Sequence, residues 1–454
     1  MDHIEYLKQC VEKNASFIRE AHDFIWAHPE TGYREWKTSA YLEEKFEKLG
    51  YTLVRAGDIP GFYADLDTGR EGPKVLIMGE LDSLIVSDHP EADKATCAVH
   101  ACGHSAQASA LLGIAAALKE PNALEGMSGS IRLMAVPAEE LIEIGYRNEL
   151  KKAGKIKYLG GKVEFMYRGY MDGVDIAYLF HTAAFRDGLV FSAGKGSNGC
   201  ITKQIEYQGK ASHAGGAPQN GINALYAATL GMNAINALRE TFADDQHIRV
   251  HPIITKGGDA VNAIPSSVMM ESYVRGATME QILNVNQRVN RALAAAAACM
   301  GANVHLTDRP GYFPLNNNPQ LLEIAHEAMR AIVDETQISV TDHWGTGCTD
   351  MGDVSSVIPT VQPYTGGAIG AGHGNDYYVK DVDTACVKSA ACQTVFAYLL
   401  LKDDAKEAKR IQQEAKTIFP NMDAYFAYMD RIDLEKQALV YQEDGRVLID
   451  LPNE

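Results

Sequence analysis

Three apolar runs of strand length constrain this chain more than any other feature. KVLIMGELDSL (74–84), SIRLMAVPAEE (130–140) and DIAYLFHT (175–182) each open as a continuous hydrophobic stretch and close on acids or a histidine. Such a run suits a strand buried on both faces, as in a parallel sheet covered by helices. Helical SAQASALLGIAAALK (105–119) separates the first two runs, so strand, helix and strand alternate as in an α/β domain. Ligands of such sheets collect outside the carboxyl ends of the strands. Glu80 and Asp82, the pair Glu139-Glu140, and His181 fall at those ends.

The first 50 residues carry helical periodicity, at about 4–27 and 34–49, with Gly50 as a stop. From Gly199 the pattern changes to strand CITKQIEYQG, helix QNGINALYAATLGMNAINALRE, strands HIRVHPIITKG and SSVMMESYVRG, helix EQILNVNQRVNRALAAAAACM and strand ANVHLTD. That β-α-β-β-α-β order is the one found in a ferredoxin-like sandwich. The α/β pattern then resumes with a helix near 318–334, GCTDMGDVS, TVQPY and a helix at 383–402. The expected fold is thus an α/β domain of residues 1–198 and 312–454. Its mixed sheet carries helices on both faces, and an α+β domain of residues 199–311 is inserted into it. The segment after 402, beginning KEAKRIQQEAK, reads as a solvated helical face with no chemistry assigned.

Composition excludes several partners. With 59 acidic and 42 basic residues, the formal net charge is −17. Binding a polyanion needs a cationic surface, so neither nucleic acid nor an anionic membrane is the expected partner. No uncharged apolar stretch reaches the ~18 residues of a membrane span. The N-terminus has no basic region followed by an apolar run. The eight cysteines are scattered rather than arranged as a disulfide framework. Reduced thiols and a cytoplasmic location are therefore expected.

The chemistry lies at the strand ends and in two further segments, HACGH with Cys102 and His104, and AGHGND with His373. Thiolate, imidazole and carboxylate are ligand types of Zn²⁺ and similar divalent metals. Taken singly, each residue has a plainer explanation. A lone cysteine is most often a small buried hydrophobe, and adjacent acids most often answer a helix dipole. Their joint position at strand ends is what points to a metal site. After a strand and a Pro-Ala turn, Glu139 and Glu140 can diverge, one to bind metal and one to act as a base. CGHSAQ lacks the second cysteine of a zinc knuckle, GAIGAGHG lacks a phosphate-binding fingerprint, and no GxSxG elbow occurs. A cysteine amidase using Cys102, with His104 as its base, ranks below metal binding.

The motifs HPETGYREWKTSAYLEEKFEKLGY, GELDSL, HACGH, PAEE, SHAGGAPQNGINAL, NAIP, YVRGAT and TDMGDVS occur in one order from about residue 15 to 400. In that order the chain resembles the two-metal hydrolases that include aminoacylase, carboxypeptidase G, hippurate hydrolase and the hydrolases of indole-acetyl-amino acids. It is similar to their amidohydrolase branch, in which cysteine replaces an aspartate ligand, and TDMGDVS leans toward the p-aminobenzoyl-glutamate hydrolase and dipeptidase members. The resemblance implies a zinc-peptidase-like domain with a ferredoxin-like lid that dimerises. It implies metal ligation by Cys102, His104, Glu140, His181 and His373, with Glu139 as general base and Asp82 orienting a ligand. His213 would steady an oxyanion across a dimer interface, while Asn262 and Arg275 would contact substrate. The implied cofactor is a pair of divalent ions, zinc or manganese, with cobalt also acceptable. The implied activity is hydrolysis of the amide of an N-acyl amino acid, an aminobenzoyl-glutamate-like conjugate or a dipeptide. The alternatives are the cysteine amidase and a non-catalytic binding protein on the same fold. Three positions depart from the branch. Ser105 stands where aspartate is usual, Glu80 where a shorter acid is common, and PAEE runs on into LIEIGYRNEL without a Gly-Gly turn.

Overall fold

The computed structural model describes residues 2–185 and 188–452. Strand Lys74–Glu80 lies inside a mixed sheet in the order Val54–Arg55, Phe62–Asp67, Ser130–Val136, Lys74–Glu80, Ile176–Tyr178, Thr360–Val361. The last four run parallel, and Phe62–Asp67 runs antiparallel to Ser130–Val136. The apolar run explains its own burial, because successive side chains alternate between faces. Val75 and Ile77 enter a core with helices His3–Lys13, Ala15–Trp26, His104–Leu118 and Ser389–Glu414. Leu76 and Met78 enter a second core with Val163, Phe165 and Met166 of helix Gly161–Tyr167. Helices thus cover both faces, and each such buried side chain contributes about 1.5–3 kcal/mol.

Helix His104–Leu118 is buried along its whole length, which is why its sequence shows no polar face. The helical run 383–414 has the length and composition to cross a bilayer, but 89% of its most apolar window is packed inside the protein. It kinks at 402–405.

The inserted span builds an antiparallel sheet from Gly199–Gln208, Arg249–Val250, Ile253–Lys256, Ser267–Gly276 and Asn303–Pro310. Gly199–Gln208 pairs on one side with Ser267–Gly276 and on the other with Asn303–Pro310, and Arg249–Val250 with Ile253–Lys256 follow outside Ser267–Gly276. Helices Ala224–Leu238 and Met279–Cys299 pack on each other, the first capped by the Asn223 side chain. This is the expected ferredoxin-like order.

One strand comes from outside the insertion. Leu434–Gln437 pairs antiparallel with His305–Asp308 and extends the lid sheet. The chain end is therefore not only the solvated face that its charge suggests. Helix Met422–Ile432 buries Tyr425 and Met429, and the Tyr425 hydroxyl donates to Asp353 Oδ1 at 2.7 Å. The sequence leaves this strand with the catalytic segment because its alternation, LEKQ, contains one aliphatic residue.

The Gly-Gly turn that PAEE lacks occurs further along the chain. A segment with helix Ile144–Lys152 intervenes, and Gly160-Gly161 then returns the chain to the end of the Ser130–Val136 strand. Gly161 N–H donates to Ala138 O at 3.1 Å, and a Cβ there would stand 1.6 Å from Pro137 O. Gly161→Ala must displace the turn that carries Glu139 and Glu140. The expected outcome is a loss of about 1–3 kcal/mol of unfolding free energy, read by urea denaturation, with metal affinity falling in parallel.

Candidate metal centre

The strand ends converge as the sequence suggests. Cys102 and His104 flank Gly103, whose φ of +87° is left-handed. A Cβ on Gly103 would stand 2.4 Å from the Tyr377 hydroxyl, so only glycine lets both side chains turn to one point. Cys102, His104 and His181 form one group whose ligand atoms lie within 4.8 Å of one another, and Cys102, Glu140 and His373 form a second. Cys102 Sγ belongs to both. Glu80, His104 and Glu139 form a third.

Each histidine of the first group has one nitrogen committed. His104 Nδ1 lies 3.0 Å from both Asp82 Oδ1 and Asp82 O. His181 Nδ1 lies 2.7 Å from Thr182 O. Because those oxygens accept, both Nδ1 atoms donate, and each ring is held with its Nε2 turned toward the cluster. That is how protein metal sites fix imidazole tautomer and ring orientation. His181 Nε2 lies 3.5 Å from Cys102 Sγ, and His373 Nε2 lies 3.3 Å from Glu140 Oε1. Burial and Glu140 oppose ionisation of the Cys102 thiol, but His104 and His181 overcome them and bring it down to about 6. Burial likewise opposes the Glu140 carboxylate, which His373 and His104 hold down at about 2.

The pair Glu139-Glu140 is parted by a clamped turn. Ala138 has a φ of +56°, a conformation that costs a non-glycine residue roughly 1–3 kcal/mol. Ala138 N–H donates to Glu35 Oε1, Glu140 N–H donates to Asp82 Oδ2, each at 2.8 Å, and the Tyr312 hydroxyl donates to Glu139 O. Buried Arg147, from the intervening helix, donates to Ala138 O, Leu159 O and Glu140 O. Glu140 thereby faces His373, while Glu139 Oε2 lies 3.9 Å from His104 Nε2. Burial, Glu80 and Glu140 push the Glu139 carboxyl well above the usual carboxylate range.

Glu80 Oε2, His104 Nε2 and Glu140 Oε1 are buried without hydrogen-bond partners. Orphaned buried acceptors of this kind are rare, and convergent lone pairs from sulfur, nitrogen and oxygen are what a divalent ion takes up. The residues present therefore fit a pair of ions sharing the Cys102 sulfur.

A cavity of about 310 Å³ opens over Cys102, Glu139, Glu140, His181 and His373, and Arg275 lines it. The Arg275 Nε is buried and unpaired. His213 and Asn262 behave differently. Both are exposed on the lid, adjoining each other where Ala214 N–H donates to Asn262 O at 2.9 Å. Neither lines that cavity, so one chain alone does not bring them to the cluster. Ser105 is buried with its hydroxyl unpaired.

Several working groups have no signal in the sequence. Buried Lys162 donates to Glu80 Oε1 and Asp350 Oδ1, both at 2.5 Å. Asp350 belongs to TDMGDVS, but nothing there marks its partner 188 residues away. Arg147 and Tyr312 are likewise isolated in sequence from the turn they hold.

A family model for Peptidase family M20/M25/M40 matches residues 76–397. The chain is 27% identical to the Xaa-Arg dipeptidase of Homo sapiens over 373 residues, covering 78% of this chain and 78% of that protein. It is 26% identical to the indole-3-acetyl-aspartic acid hydrolase of Enterobacter agglomerans over 352 residues, covering 66% of this chain and 75% of that one. A dinuclear metal-binding peptidase from Bacillus subtilis superposes with a TM-score of 0.62 at 20% identity, covering 86% of this chain and 99% of that chain.

Asp82→Asn removes the carboxylate that orients His104 while keeping its size. The expected outcome is a loss of metal affinity of roughly 10–100-fold, the usual effect of disturbing such a partner, read by competition with a chromophoric chelator.

Proposed function

The chain belongs to peptidase family M20/M25/M40 and is a metal-dependent hydrolase, and from that premise we propose that it releases an amino acid from an acylated precursor. The substrate class is an N-acyl amino acid, an aminobenzoyl-glutamate-like conjugate or a dipeptide. The observation that carries this reading is the pair of ligand groups sharing Cys102 Sγ. Cys102, His104 and His181 would hold one divalent ion, and Cys102, Glu140 and His373 the other, with zinc or manganese first in line and cobalt acceptable. When bound, the ions supply Lewis acidity, polarising an acyl carbonyl and allowing water to attack near neutral pH.

This chain's own residues do the rest. Glu139, turned away from Glu140, takes the proton of the attacking water and returns it to the departing nitrogen. Its raised proton affinity suits a group that must hold that proton between the two steps. Arg275 supplies a planar two-pronged donor for the substrate carboxylate, a local cation in a chain of net charge −17. A second cavity of about 430 Å³ shares Ser197, Gly345, Gln362 and Tyr364 with the first and is lined by Leu189, Ala193 and Leu315. Among the described residues, no Asp, Glu, Lys or Arg lines it. It suits a neutral acyl group, so the charged and neutral ends of the substrate have separate places.

His213 and Asn262 enter this reading through a second copy of the chain. In a homodimer joined through the lid, His213 of one copy would donate to the oxyanion formed in the other. Exposed Tyr226 and Ile253 on the lid offer apolar surface for that contact. Reduced thiols would place the enzyme in the cytoplasm, where Cys102 stays available for metal.

The 3.5 Å approach of Cys102 Sγ to His181 Nε2 supports a second reading, a cysteine amidase. Glu139→Gln separates the two. With metal analysis and a panel of acylated amino acids, the variant is expected to keep its metal and lose roughly 10²–10⁴-fold in kcat, and chelator is expected to silence the wild type. Full activity in the variant, or activity that survives chelator but not thiol alkylation, would sink the metal mechanism. Mixing Glu139→Gln with His213→Ala chains tests the shared site. Each alone should be nearly inactive, and refolded mixtures should regain activity as mixed dimers form.

A further inference from the structure

Two cysteines outside the metal centre meet where the chain passes into the lid. Cys200 is the second residue of strand Gly199–Gln208, directly after the 198–199 crossing, and is buried. Its backbone is tied to the other crossing. Cys200 N–H donates to Tyr312 O at 2.7 Å, and Tyr312 N–H donates to Cys200 O at 3.0 Å. Cys348 belongs to the α/β domain, in the loop ahead of helix Met351–Ser355. Its Sγ lies 3.4 Å from Gly199 O, the carbonyl next to Cys200. Both cysteines line the cavity of about 310 Å³ together with Arg275, which is the register partner of Cys200 in the lid sheet. The Cys200 sulfur also depends on Gly311, where a Cβ would stand 2.7 Å from it. The two thiols are not equivalent. The neighbouring Cys348 thiol lowers Cys200 below the usual thiol range, with burial opposing and the Arg275 guanidinium assisting. Burial and the Cys200 sulfur push Cys348 well above that range.

We propose that Cys200 and Cys348 form a reversible disulfide that pins the lid crossings to the α/β domain, with a small hydroperoxide as the oxidant. The cavity admits such a molecule to Cys200, which is only 2% exposed. The Cys200 thiolate, the more nucleophilic form of a thiol, attacks one peroxide oxygen. An S–O bond forms, the O–O bond breaks, and the departing oxygen takes a proton to leave as water or an alcohol. The Cys348 sulfur then attacks the resulting sulfenic acid. An S–S bond forms, the S–O bond breaks, and the hydroxyl leaves as water with the Cys348 proton. Two electrons pass from the two sulfurs to the peroxide. Rotation of the lid about its crossings must carry Cys200 away from Cys348, and a covalent bond between them removes that freedom. Disulfides that come and go in a reducing compartment are characteristically redox-sensing ones.

The test treats the full chain with hydrogen peroxide, alkylates the remaining thiols and maps linkages by mass spectrometry before and after dithiothreitol. A Cys200–Cys348 link that forms with peroxide and disappears with the reductant is the expected result. Cys348→Ser is expected to stop at a Cys200 sulfenic acid, trapped by dimedone, and Cys200→Ser to leave Cys348 a free thiol. In the oxidised wild type, hydrogen exchange at the Cys200 and Tyr312 amides is expected to slow at least about 10-fold and to recover on reduction. No link between the two cysteines, or a link of either one to Cys102, would overturn the proposal. So would unchanged exchange at both amides in a chain shown to carry the bond, since the bond would then not hold the lid. The wild-type mapping requires no variant to fold. It reads neither metal content nor hydrolysis, so its failure is distinct from a failure of the metal mechanism.

Discussion

Crowding of buried negative charge is the constraint on which this structure depends. Glu35, Glu80, Asp82, Glu139, Glu140 and Asp350 are all no more than 8% exposed, and Lys162 and Arg147 are the permanent cations among them. Six carboxylates against two cations leave a deficit of four charges, before the Cys102 thiolate is counted. An ion taken into a protein interior costs several kcal/mol even after relaxation. No plausible excess of packing energy covers several such costs in a fold whose net stability is only about 5–15 kcal/mol. Protons or bound cations must make up the difference. Burial and like charge push Glu35 and Glu139 toward the neutral form, and divalent ions at the groups sharing Cys102 would neutralise part of the rest.

Much of the surrounding architecture follows from having to aim those carboxylates. Neighbouring residues on a strand point to opposite faces, so Glu139 and Glu140 could not serve one cavity from inside the sheet. They follow it, on a turn strained at Ala138, and the strain persists because Glu35, Asp82, Arg147 and Tyr312 hold that turn from four directions. Tyr312 immediately follows the lid's last strand and its Gly311. Arg147 comes from the segment between Glu140 and Gly160. The catalytic sheet alone thus does not fix the ligand turn. Residues that arrive later in the chain complete it.

This division explains what could be read from sequence. Parallel strands, their polar tips and the inserted βαββαβ unit were legible because each is a local pattern of period and punctuation. The candidate ligands were legible for the same reason, since each ends a strand or sits in a short glycine-bearing segment. Lys162, Arg147 and Tyr312 were not, because a buried cation or hydroxyl is defined by partners distant in sequence, such as Lys162 and Asp350. Strand Leu434–Gln437 was missed on different grounds. An edge strand with one solvent-facing row needs few apolar residues, and LEKQ supplies one. Glu80 lay between these cases. It stood out by position, but its partners Lys162 and His104 are distant in sequence.

The same late-arriving segments join the lid to the metal centre. A lid attached only at 198–199 and 311–312 would turn about two adjacent crossings, as hinged domains do. Here the chain end adds a third attachment. Arg309, on the lid strand Asn303–Pro310, pairs with Asp433 and Glu435, and Asp433 pairs in turn with Lys151 of the intervening helix. The Tyr273 hydroxyl of the lid also donates to Leu141 O, directly after Glu140. Any lid rotation must therefore break these bonds or carry the 141–152 segment with it, and that segment bears Arg147, which grips Glu140 O. Lid position and ligand geometry are mechanically one system. A displacement of the lid would therefore also load the turn that presents Glu139 and Glu140.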